Sequence, residues 1–214
     1  TPSASSYGGA YLTSNTGITI GYGGMTTSGN NSIALGSYSS NNTTQTSAPG
    51  AYQIALGGGV GLNSSANNAI AIGTNVSIAQ SGAANTIAIG AYSSGQGNNG
   101  IAIGAYTNIH SSATKAIAIG YNADANNSNS TGAIAIGQNT DANATDSIAI
   151  GTNAQNDSTL SIAIGHDTDI NSTAFSTVVI GDGASANGSD RSVVIGHDTN
   201  SDADDQVLIG NLVK

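Results

Sequence analysis

TGAIAIGQNTDANATDSIAIGTNAQNDSTLSIAIG, residues 131–165, returns to Ile-Ala-Ile-Gly three times, ending at Gly137, Gly151 and Gly165. A fixed period sets an architecture before any single motif does. The same apolar-small-apolar-Gly unit ends at Gly21, Gly36, Gly57, Gly73, Gly90, Gly104, Gly120, Gly137, Gly151, Gly165, Gly181, Gly196 and Gly210, thirteen copies in all. Successive glycines lie 14 to 21 residues apart, so residues are added to a floor of fourteen and never removed. Stacked coils with exposed corners behave in this way.

The unit is too short for a helical repeat, and three apolar letters make a brief strand rather than a stripe of period 3.6. Position −3 from the glycine is Ile (Ile33, Ile70, Ile134) or Val (Val178, Val193, Val207), which favours strand. Between the branched residues, position −2 is Ala in nine successive copies, Ala34 to Ala163. A near-continuous apolar strand is compatible with two covered faces. After the glycine, +3 is mostly small (Val76, Ala123, Ala154, Thr168, Ala184, Thr199), and +5 is often small or apolar (Ile78, Ala125, Ala142, Ile170, Ala186). This predicts a second short strand facing the first, with large packed against small. The expected fold is all-β, a β-solenoid of 14-residue coils, about 60 Å long at the strand spacing of roughly 4.8 Å.

Composition agrees. The chain of 214 residues has no Trp and one Phe (Phe175), too little for an aromatic globular core, whereas a solenoid needs only contacts between neighbouring coils. Without cysteine there is no disulfide framework or thiol chemistry. No apolar run reaches the length of a membrane span, so this segment is not expected to insert in a membrane directly. With no leader and no initiating Met, it reads as cut from a longer protein. Residues 1–109 contain no Asp, Glu, Lys, Arg or His, and all twelve acidic residues are Asp between Asp124 and Asp205. The three basic residues, Lys115, Arg191 and Lys214, exclude nucleic acid as a partner recognised through phosphates. The aspartates suit solubility and turns.

The units NSIALGSYS (31–39), DSIAIGTNA (146–154) and RSVVIGHDT (191–199) resemble the head repeat of YadA-like trimeric autotransporter adhesins. The resemblance spans about residues 18–211. It implies a left-handed parallel β-roll assembled as a homotrimer, carried at the bacterial cell surface on a stalk and outer-membrane anchor that these residues do not include. It also implies adhesion as the function, in virulence or autoaggregation, with a host extracellular-matrix protein, a host receptor, a glycan or another bacterial cell as partner. Residues 1–17 then read as an N-terminal cap, 18–211 as the head, and 212–214 as the start of a truncated neck, which DDQVLIGN (204–211) approaches. Because neighbouring strand positions point to opposite faces, we expect −3 to line each chain's interior and −2 to face the threefold axis. The trimer interface would then be Ala71, Ala88, Ala102, Ala118, Ala135, Ala149, Ala163, Val179 and Val194. Bulk would shift from core to interface towards the C-terminus.

Candidate ligand-binding residues are tyrosines. All eight lie at or before Tyr121, and Tyr38, Tyr92 and Tyr106 share position +2. With Tyr52, they could stack on sugars or apolar side chains, or merely cover one another along the stack. The insertion between Gly36 and Gly57 is an exposed loop, a place for recognition or for tolerated drift. His166, Asp182 and His197 share position +1, so a His-Asp-His column is expected; a solvated polar column is preferred to a metal site. Asp202, Asp204 and Asp205 lack the glycine and distal glutamate of a calcium loop. No cofactor is expected.

Other classes fit less well. IGTNAQ (150–155) matches one turn-unit of hexapeptide acyltransferase solenoids, but those need several units per coil, and no Ser-His-Asp or paired-carboxylate constellation is present. The chain is not expected to be an enzyme. An ice- or surface-binding face would favour a regular Thr ladder, while Thr74, Thr152, Thr107 and Thr140 occupy differing positions. A phage fibre is the remaining alternative.

Overall fold

The computed structural model describes residues 9–11, 17–22, 26–27, 31–37 and 47–210. These residues form twenty-six strands and no helix. One sheet has fourteen strands and holds every described apolar-small-apolar unit; a second has twelve strands, each two residues long. Successive strands alternate between the sheets, so each sheet grows by one parallel strand per coil. Among the described strands only β1 (Gly9–Tyr11) runs antiparallel, paired to β2 (Ile18–Tyr22) at the end of the long sheet. The remainder of the expected cap, and the neck at 212–214, lie outside the described residues.

Register is in phase throughout. Ile134, Ala135 and Ile136 pair with Ile148, Ala149 and Ile150, which pair with Ile162, Ala163 and Ile164. Each residue thus stacks on its own kind, and the insertions must leave the ladders undisturbed. They do so at the two corners: Ser111, Ser112, Asn126, Asn127, Ser128 and Asn129 are exposed between a short strand and the next long strand, whereas the longest insertion falls between Gly36 and the short strand Ser47–Ala48. The short strand at +4 and +5, expected from the small residues after each glycine, is present as Ser77–Ile78, Asn108–Ile109 and Asp169–Ile170.

The two faces of the long strand are reversed from the expectation. Ala71, Ala88, Ala102, Ala118, Ala135, Ala149, Ala163, Val179 and Val194, expected at a trimer interface, are 0% exposed in the single chain and form its own core. The −3 and −1 residues, expected inside, point outward and are only partly covered, as the burial pattern of Ile134–Ile136 shows. Width is the physical reason. The interior also receives −4 (Thr86, Ala116, Ser147, Thr177), +3 and +5 from the same coil. A fourteen-residue coil closes around a gap that accepts small residues in most columns and cannot admit two isoleucines per strand. Where bulk enters, its partner is small: Ala163 shares a cluster with Ile170, whereas Val179 and Val194 sit with Ala186. Towards the C-terminus bulk therefore moves into the core, opposite to the expected direction.

Two buried amides in this narrow core are paired within it. Gln53 donates from Nε2 to the Asn63 and Ala66 carbonyls and accepts at Oε1 from the Gly50 N–H. Asn156 donates to the Ile148 and Ser161 carbonyls. Such layers fix register, because a slipped coil would strand them without partners.

Each unit-ending glycine turns the chain out of the long sheet. At Gly120, φ is +140°, and an added Cβ would lie 1.9 Å from the Gly137 carbonyl oxygen of the next coil. Gly120→Ala should therefore cost on the order of 3 kcal/mol or more, read as a lower midpoint in chemical denaturation. An unchanged midpoint would show that the coils can part locally at no cost.

Candidate functional site

Two turns per coil carry a residue in the left-handed conformation, at −5 and at +2. The −5 column includes Asn68 (φ 58°), Asn85 (φ 55°), Asn99 (φ 57°), Lys115, Leu160 and Arg191; the +2 column includes Asn75 (φ 54°), Asn122 (φ 52°), Asn139 (φ 51°), Asn153 (φ 55°) and Asp167. Asparagine tolerates this backbone better than other side chains do. Stacked in register, the amides also bond one another: Asn68 donates to Asn85 at 2.9 Å, Asn85 to Asn99 at 3.1 Å, and Asn153 to Asp167 at 2.8 Å. Arg191 makes a forked pair with Asp205 at 2.7 and 2.9 Å.

Tyrosine interrupts both columns. Tyr92 (φ 58°) and Tyr106 (φ 61°) occupy +2, where neighbouring coils place asparagine. Their rings stack with centroids 5.2 Å apart and planes 3° from parallel. Tyr121, one residue earlier in its own coil, meets Tyr106 edge-on at 5.7 Å. All three are about half exposed. Tyr52 (φ 57°) lies in the −5 column on the other turn and does not join them. Tyr38 and residues 38–46 of the long insertion lie outside the described residues. The asparagine-rich turn columns were the available signal that +2 demands a special backbone, and hence that tyrosine there is an exception.

The expected His-Asp-His column forms. His166 Nδ1 is 2.8 Å from Asp182 Oδ1, and His197 Nε2 is 3.5 Å from Asp182 Oδ2. The Asp182 hydrogen bond, followed by the Asp167 charge, raises the His166 pKa from 6.5. Asp202, Asp204 and Asp205 do not converge: Asp204 accepts from the Asp190 N–H, and Asp205 binds Arg191. Of the threonines, Thr107 and Thr140 are buried, so they offer no exposed ladder.

On the short sheet, Asp124 is paired in register with Asp141. Partial burial first, then the Asp141 charge, push Asp124 up to about 6. Burial and Asp157 raise Asp141 and Asp169 as well. These side chains form a mutually repelling stripe, in contrast to the uncharged surface of the first half.

Among known proteins, the family model for the YadA head domain repeat matches residues 26–39, 111–131 and 129–154. A solved structure, the collagen-binding domain of the Yersinia adhesin YadA, aligns over 88% of this chain and 72% of that one, at 22% identity and a TM-score of 0.42. No curated protein sequence matches.

Acid should stabilise the coils. A folded-state pKa above the ordinary 3.8 means that the folded chain takes up protons more readily, so the gain is complete below about pH 4 and lost as pH rises through about 6. His166 acts in the same direction, its pair stabilising below its ordinary 6.5 and fading above its raised value. Asp205, lowered by Arg191, contributes stability that is lost only below the usual carboxylate range. The melting temperature should thus rise between about pH 7 and pH 5, and Asp124→Asn should flatten that rise. A fall over this window would contradict the assignment.

Proposed function

We propose that the chain is the binding head of a bacterial surface adhesin, acting as a homotrimer in which the outward isoleucine faces of three long sheets meet. The observation that carries this is the apolar stripe formed by −3 and −1. It runs along the fourteen-stranded sheet, and even where a strand is covered on both sides Ile103, Ile180 and Ile195 are 36% exposed. A continuous apolar face of this kind signals an interaction surface, and a straight, in-register stripe is self-complementary in a way that a closed symmetric assembly can use. The YadA head repeats support the adhesin reading.

In this reading the mechanism is mechanical and multivalent. The isoleucine seam holds three rods together, the short sheets and turns face outward, and repeated shallow contacts along each rod sum to avidity. A stalk and outer-membrane anchor would hold the head away from the cell, within reach of a host matrix protein, a host receptor or another bacterium. No step of chemistry is required of any side chain.

Light scattering after size exclusion should give three times the chain mass. The paired change Ile134→Asp and Ile136→Asp should yield monomers that keep their β spectrum, because both side chains point out of the coil. Ala135→Leu should instead overfill the interior and cost about 1–3 kcal/mol of stability. Trimers that survive both aspartates would place the seam elsewhere. The trimer is then tested for attachment to immobilised matrix proteins, cultured cells and bacteria; failure on all three would remove the adhesin reading.

A further inference from the structure

We propose that Tyr92, Tyr106 and Tyr121 form a binding ridge for an uncharged glycan chain. The proposal rests on the adhesin reading and assigns to it a ligand class and a place. At Tyr92 and Tyr106 the backbone is left-handed, a conformation that disfavours tyrosine and that neighbouring coils give to asparagine. Burial does not compensate, since Tyr92 is 51% and Tyr106 is 49% exposed. Their mutual stacking offsets part of the cost, but asparagine would meet the same turn and bond its neighbours without it. Large rings held half in water at an unfavourable backbone are better explained by what they contact outside the chain.

The surroundings select the class of ligand. Tyr92 and Tyr106 lie within residues 1–109, which contain no Asp, Glu, Lys, Arg or His; His110, Lys115 and Asp124 begin only around Tyr121, so the stacked pair offers nothing to attract a charged polymer. Directly along the +2 column, Asn75 and Asn122 bracket the rings with amides. Ala91 and Ala105, beside them at +1, are small, and the next coil's +1 residue, Tyr121, meets Tyr106 edge-on. The half of each ring that stays exposed beyond the mutual stack, flanked by amides, presents the chemistry that recognises a sugar ring, whose C–H groups pack against aromatic surface and whose hydroxyls need neutral donors and acceptors. The turn amides are also locked, Tyr92 N–H to the Thr74 carbonyl at 2.8 Å and Tyr106 N–H to the Ala91 carbonyl at 2.9 Å, so the rings are pre-positioned. No residue is inserted between Gly90 and Ser94, Gly104 and Asn108, or Gly120 and Asp124, so the ridge repeats once per coil, roughly 4.8 Å, about the length of one sugar ring.

The test uses the 214-residue chain on a printed array of neutral, sialylated and sulfated oligosaccharides, with soluble neutral polysaccharide as competitor. The paired change Tyr92→Asn and Tyr106→Asn restores the residue that the column favours, so the melting temperature should be equal or higher. We expect retention of neutral glycans by the parent and a loss of at least roughly tenfold in the variant. Because the chain has no Trp, its tyrosine emission should also respond to soluble glycan. Equal retention by parent and variant would overturn the ridge, as would retention of charged glycans only, or of none. Attachment of both proteins to cells and matrix is measured in parallel: parent and variant attaching equally while no neutral glycan is retained would sink this inference and leave the adhesin reading standing.

Discussion

Close backbone approach at the glycine column is the constraint from which the rest of the structure follows. Where each coil leaves the long sheet, the space that a Cβ would occupy is filled by the carbonyl of the next coil: Gly57 oxygen above Gly36, Gly137 oxygen above Gly120, Gly181 oxygen above Gly165. The coils can stack in register only while that column lacks side chains. In-register stacking then sets everything else, because a residue type repeated at one position becomes a continuous column with one physical character. Alanine becomes a core, isoleucine a seam, asparagine a hydrogen-bonded edge, and aspartate a self-repelling stripe.

The narrowness of the coil divides these columns between inside and outside. Side chains of the first strand and those of the second share a thin interior, and the chain fills it with alanine, serine and threonine, interrupted by single bulky residues such as Ile78, Ile109 and Ile170. Polar layers at Gln53 and Asn156 break the apolar column without leaving their amides unmatched. Such a core buries little apolar area per residue. Stability must come from repetition of the ladders, and the broad apolar face that remains outside is left for a partner to cover.

The surface divides along its length. The N-terminal half is uncharged and carries Tyr92 and Tyr106, with Tyr121 just beyond it; the C-terminal half carries the aspartates, the His166–Asp182–His197 column and the Arg191–Asp205 pair. These belong to the same solenoid and the same two turns, so the scaffold is indifferent to them. Only the outward positions +1, +2, +4 and −5 change character, and recognition can vary there without disturbing the core columns.

Period, strand character and the facing of two short strands were legible in the chain, because a fourteen-residue floor with Gly at one place and branched residues beside it admits few other architectures. The adjacency of Tyr92 with Tyr106, and of His166 and His197 with Asp182, followed from shared offsets. Which face of the strand turns inward did not follow from Ile-Ala-Ile itself, since alternation separates −2 from −3 and −1 without saying which lies inside. The sizes at −4, +3 and +5 held the answer in principle: all are mostly small, and small columns fill a thin interior. Only the closed coil made that decisive, by showing that the space between Ala135 and Ala142 is too shallow for the isoleucines. Likewise, the chain names the tyrosines, but the tertiary structure decides that Tyr52 stands on the far turn and that Tyr121 joins Tyr106, because the turn backbone aims each ring.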